Sequence, residues 1–123
     1  KQKFKDKPNI VALARLEKLN ELSLSNKNNI KELYVELSHI LRQYIENSLF
    51  IRTLEMTTEE IKFSNNNFPY NDLEFMSLLE ILSNSDMAKY ARYNASDKEL
   101  SSDLKKTIDL VNDTTHYWNL ELS

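Results

Sequence analysis

The sequence predicts an all-α fold, a compact bundle of five to six helices, and three observations carry that prediction. Apolar residues recur at helical spacing through nearly all of the 123 residues, and no alternating stretch is long enough for a sheet. Helix beginnings are marked by three S/T/N-x-x-E signatures, each flanked by apolar residues. Hydrophobic residues at 41% and charged residues at 28% sit near globular averages, so a chain of this length can bury one real core.

In chain order, residues 1–7 (KQKFKDK) form a basic leader with Lys1, Lys3, Lys5 and Lys7. It reads either as a solvated terminus or as a segment just inside a membrane, where basic residues accumulate. A single helical domain is expected over 8–118. Its first helix, near 8–22, starts at Pro8, which suits the first helical position, and carries Ile10, Leu13, Leu16 and Leu19, which wander around the cylinder. The second, near 29–48, is the core helix: Ile30, Leu33, Tyr34, Leu37, Ile40, Leu41, Tyr44 and Ile45 repeat at threes and fours.

The third helix, near 58–64, begins at LEMTTEEI. Thr57 at the N-cap and Glu60 three residues on make a capping box, and Met56 with Ile61 makes the hydrophobic staple. After an irregular NNNFPY loop, Asn71 and Glu74 open a helix near 72–83, with Tyr70 and Phe75 in the staple positions. A polar Ser-Asn-Ser connector then leads to a short helix near 86–92. Ser96 and Glu99, flanked by Ala95 and Leu100, open the last helix near 97–117. Its stripe is Leu100, Leu104, Ile108 and Val111, with Trp118 as a closing anchor. Residues 119–123 are expected to fray, and there is no internal repeat.

Composition excludes several kinds of function. A net charge of −3 weighs against a dedicated binder of the phosphate backbone. With no cysteine there is no thiolate nucleophile, disulfide or Cys-ligated zinc, and with no glycine there is no phosphate-cradling glycine loop. His39 and His116 lack the spacing of any metal signature, and His39 projects to the polar side of its helix. Glu59 and Glu60 are adjacent on a helix, so their side chains diverge by about 100° and cannot flank one bond. The Ser and Thr residues form neither a nucleophile elbow nor a triad. No enzyme activity, cofactor or metal is expected.

Two features remain. The segment DMAKYARYN, residues 86–94, interleaves Lys89 and Arg92 with Tyr90 and Tyr93. It suits a partner-binding patch or a stacking surface for single-stranded nucleic acid. Alternatively, Met87, Tyr90 and Ala91 simply pack a short helix while Lys89 and Arg92 are solvated. Arg42 lies about 120° from the centre of the apolar stripe of the core helix, at the edge of its polar side. There it is positioned to form an ion pair with Glu55, Glu59 or Glu60, or to remain solvated.

The run YVELSHILRQYIENSLFIRTLEMTTEEI (34–61), followed by a leucine-rich helix and LSNSDMAKYARYNASDKELSSDLKKTIDLVNDT (82–114), resembles the cytoplasmic C-terminal domain of BatD-like bacterial membrane proteins and related single-pass proteins. That pattern has a helix of the form Y-x-x-L-S-x-I-L-R-x-Y-I, an M-T-T-E-E helix start and a D-x-x-K-[FY]-A segment. Here these fall on Tyr34, Leu37, Ser38, Arg42 and Tyr44, on Met56 to Glu60, and on Asp86, Lys89, Tyr90 and Ala91. The match covers about two-thirds of the chain and departs from the pattern at the NNNFPY loop.

The resemblance implies a setting: the cytoplasmic face of the bacterial inner membrane, beside MoxR-type AAA+ ATPases and von Willebrand factor A domain proteins. It implies that this chain is a fragment whose basic leader follows a membrane helix. It brings no catalytic residues. The expected function is protein–protein interaction with one of those partners, through Lys89, Tyr90, Arg92 and Tyr93; the alternative is single-stranded nucleic-acid binding through the same segment.

Overall fold

In a computed structural model, which describes residues 7–25, 29–90 and 93–120, the chain forms α1 (Pro8–Leu24), α2 (Ile30–Leu49), α3 (Thr58–Phe63), α4 (Asp72–Ala88) and α5 (Asp97–Thr114). Short 3-10 turns fall at Thr53–Glu55, Asn65–Asn67 and Thr115–Tyr117, and no strand occurs among the described residues. The four long helices close a ring. Helix α1 packs on α2, α2 on α4, α4 on α5 and α5 back on α1, while α2 and α5 also touch.

Helix starts follow local chemistry. Thr57, Asn71 and Ser96 each accept the backbone N–H three residues on, and Glu60, Glu74 and Glu99 each reach back to the N-cap N–H. All six oxygen-to-nitrogen distances lie between 2.8 and 3.1 Å. Each box is worth about 1 kcal/mol because it satisfies two otherwise orphaned donors. Asn29 caps α2 by accepting from Lys31 N at 2.8 Å. Helix α2 ends at Phe50, held in the left-handed region at φ 61°.

The core runs along α2, where Leu33, Tyr34, Leu37, Ile40, Leu41, Tyr44 and Ile45 are all buried. Opposite them lie Leu16 and Leu19 of α1, Leu78, Ile81 and Leu82 of α4, and Leu100, Leu104 and Val111 of α5. Fully burying such side chains contributes about 1.5–3 kcal/mol each. On α1 the inward residues are Ala12, Leu16 and Leu19, whereas Ile10 is exposed. On α5 Leu110 is buried and Ile108 only partly so, because the inward face also carries Asp103, Thr107 and Thr114. Trp118 closes the end of the bundle, donating from Nε1 to Tyr44 Oη at 2.9 Å with the two rings edge-on.

Three expectations are corrected. The Ser83-Asn84-Ser85 connector is helical, and α4 runs through it to Ala88, so no separate helix begins at 86. Buried Ser85 returns its hydroxyl to Ile81 O at 2.8 Å, and Asn84 donates to the carboxylate of buried Asp103 on α5. Short polar side chains that bond inward do not interrupt a helix. The NNNFPY segment is a packed structure, because Phe68 and Tyr70 are buried and their rings meet Phe75 and Tyr117. Helix α5 ends at Thr114, and the chain tightens into a 3-10 turn to Tyr117. Beyond it, Asn119 N donates to Thr115 O at 3.0 Å, and residues 121–123 lie outside the described residues, as do 1–6 of the basic leader.

A cleft built around a buried arginine

An open cleft of about 540 Å³ lies where α2, the start of α3 and the end of α4 meet. Val35, Ser38, His39 and Arg42 share one side of α2, as residues three and four apart do, and together form one wall. Leu54, Met56, Thr57 and Thr58 come from the link between α2 and α3, and Asp86, Lys89 and Tyr90 from the end of α4. The link is pinned to α2 by buried Thr53, whose hydroxyl donates to Arg42 O at 2.7 Å.

Arg42 is 9% exposed, which corrects its expected place at a solvated flank. The chain between α2 and α3 folds back over that flank and covers it. Nε donates to Met56 O at 3.3 Å, Nη1 to Ser38 Oγ, and Nη2 to Thr58 Oγ1 at 3.3 Å. Thr58 in turn donates its hydroxyl to Asp86 Oδ2 at 2.5 Å, and Asp86 Oδ1 stands 3.6 Å from Lys89 Nζ. Burial lowers the Arg42 pKa, and the charge of Asp86 opposes that shift.

The expected ion pair with Glu55, Glu59 or Glu60 does not form among the described residues. Glu55 binds Arg52 at 2.5 Å, Glu60 is committed to its capping box, and Glu59 is exposed. Arg42 therefore communicates with Asp86 through a threonine hydroxyl, across 16 and then 28 residues of sequence.

The basic and aromatic segment is divided. Lys89 and Tyr90 line the cleft, with Tyr90 64% exposed. Tyr93 turns to α5, where its hydroxyl donates to Glu99 Oε2 at 2.9 Å. That bond raises the Tyr93 pKa, while the backbone N–H of Ser96 and the Tyr93 hydroxyl lower that of Glu99. A smaller depression beside the cleft is lined by both Tyr90 and Tyr93. Arg92 and Ala91 lie outside the described residues. The packing alternative is corrected in part: Ala88 is the buried residue here, while Met87 and Tyr90 are exposed.

Helical geometry drew attention to Arg42, and residue type to Lys89 and Tyr90; Ser38, Thr58 and Asp86 fell in the motifs of the resemblance but were given no role. The available signal was Ser38 four residues before Arg42, which sets a hydroxyl directly beside the guanidinium. His39 lines the cleft and is exposed; no group of three or more His, Asp or Glu side chains gathers as a metal-ligand cluster among the described residues. No described helix is long and apolar enough to cross a membrane. Compared with protein-family models, curated proteins and solved structures, the chain matches none of them.

Proposed function

We propose that this chain is a non-catalytic protein–protein interaction domain that receives its partner at the Arg42 cleft. The carrying observation is the pairing of exposed Lys89 and Tyr90 with a buried guanidinium in one open cleft. Tyr and Arg are the residue types that most often anchor interfaces, and an anchor needs a cleft to fill. The sequence blocks that carry the BatD-like resemblance supply Ser38 and Arg42, Met56 to Thr58, and Asp86, Lys89 and Tyr90 to this same cleft. In the setting of that resemblance, the partner is a MoxR-type AAA+ ATPase or a von Willebrand factor A domain protein at the cytoplasmic face of the membrane.

Nucleic-acid stacking draws less support. Tyr93 is tied to Glu99, so its ring does not stand free beside Tyr90 as a second base contact. The deciding experiment is calorimetric titration of the domain with each candidate partner, with and without ATP, using wild type, Tyr90→Ala and Lys89→Glu. Saturable binding that weakens at least about tenfold in both folded variants is expected. Equal binding by all three would move the interface elsewhere, and no binding to either partner would remove the reading.

A further inference from the structure

We propose that the cleft recognises an acidic side chain: an Asp or Glu carboxylate in an extended partner segment docks between Arg42 and Lys89, with a neighbouring apolar side chain against Val35, Leu54 and Met56. This inference deepens the interaction reading and rests on it. The first observation is that Arg42 has no direct anionic partner among the described residues. A guanidinium has five N–H donors, and its acceptors here are Met56 O, Ser38 Oγ and Thr58 Oγ1, one bond each. Two donors are left without a protein acceptor among the described residues, on a side chain that is nine-tenths buried.

A buried cation whose counter-charge is reached only through a threonine hydroxyl is incompletely compensated, and a guanidinium fork matches a carboxylate in two parallel hydrogen bonds. The second observation is the charge balance. Arg42 and Lys89 face one carboxylate, Asp86, so the cleft carries a local charge of +1 in a chain whose net charge is −3. One added carboxylate neutralises it. A doubly charged phosphate would overshoot and meet Asp86, which the Thr58 hydroxyl fixes in place at 2.5 Å. The third observation is the rim: Val35 is 47% exposed and Leu54 38%, giving apolar surface beside the charged floor. The pinned link and the capping box at Thr57 hold these groups in position before any ligand arrives.

The test is an NMR titration of the domain with acetyl-Leu-Glu-Leu-amide, its Gln counterpart and free acetate. The Glu peptide is expected to shift residues 38, 42, 54–58 and 86–90 with a Kd of the order of 1 mM. The Gln peptide and acetate should each bind at least about tenfold more weakly, as loss of a charge-assisted pair or of apolar contact implies. Lys89→Gln, an exposed change that leaves the fold intact, should weaken the Glu peptide several-fold; Arg42→Lys should do so as well, because it loses the fork. Shifts elsewhere, no shifts, equal binding of the Gln peptide, or full affinity in both variants would overturn the proposal. Acetate binding as tightly as the peptide would overturn the docking element of it. If a whole partner binds while the Glu peptide does not, only this inference fails; if the peptide seats and neither partner binds, the choice of partners fails instead.

Discussion

Replacing Thr58 by Val deletes one hydroxyl and nearly preserves shape, so it isolates the relay between Arg42 and Asp86. The hydroxyl makes two bonds to charged groups, a short one to Asp86 at 2.5 Å and a long one from Arg42 at 3.3 Å. Bonds of this kind contribute about 1.5–3 kcal/mol each when well made and fully buried. Here the second is long and the cleft admits water, which takes over part of each lost bond. The expected cost is therefore about 1–2 kcal/mol, or a Tm lower by roughly 4–8 °C for a domain of this size. Urea denaturation followed by far-UV circular dichroism measures the loss, and a double-mutant cycle with Asp86→Asn measures its source. A coupling of at least about 0.5 kcal/mol between the two changes is expected. A loss below that value, or strict additivity, would refute the idea that the hydroxyl links the two charges.

Further predictions concern the backbone and the buried tyrosines. Phe50 is 85% exposed and held at φ 61°, so Phe50→Gly relieves a strained left-handed residue without emptying a packed site. A net stabilisation of about 0.5–1 kcal/mol is expected in denaturant titration after the added entropy of unfolded glycine is counted; a loss would contradict it. Tyr34 and Tyr70 are pushed well above the usual tyrosine pKa of 10, chiefly by burial, and Tyr44 is raised by burial against the bonds from Thr114 and Trp118. Their folded forms stay protonated where the unfolded forms ionise, so their stabilising contribution is intact below pH 10 and declines above it. Above pH 10, Tyr34 and Tyr70 should each contribute a slope approaching about 1.4 kcal/mol per pH unit, and a flat profile between about pH 9 and 11 would exclude this linkage. Finally, the Tyr70 hydroxyl is buried without a hydrogen-bond partner among the described residues, its neighbour Thr114 being engaged with Tyr44 and Leu110 O. Tyr70→Phe should leave stability unchanged or raise it by up to about 1 kcal/mol, and a substantial loss in thermal unfolding would reveal a missing bond.

The parts of the fold legible in the amino-acid sequence are those whose interactions close locally. A capping box completes its two hydrogen bonds within four residues, so Thr57, Asn71 and Ser96 announced helix starts that the structure contains. The apolar repeat of α2 was equally readable, because eight side chains on one face have no other way to leave water. Arg42, Lys89 and Tyr90 could be singled out by residue type, but not assembled. Whether Ser83-Asn84-Ser85 breaks a helix depends on whether Ile81 O and Asp103 offer inward partners, and Asp103 belongs to another helix. Whether a flank arginine is solvated or buried depends on what folds over it. The covering link, the Thr58 hydroxyl and Asp86 come to Arg42 through contacts spanning 11 to 28 residues. Helical periodicity describes one cylinder at a time, and the cleft exists only where three of them meet.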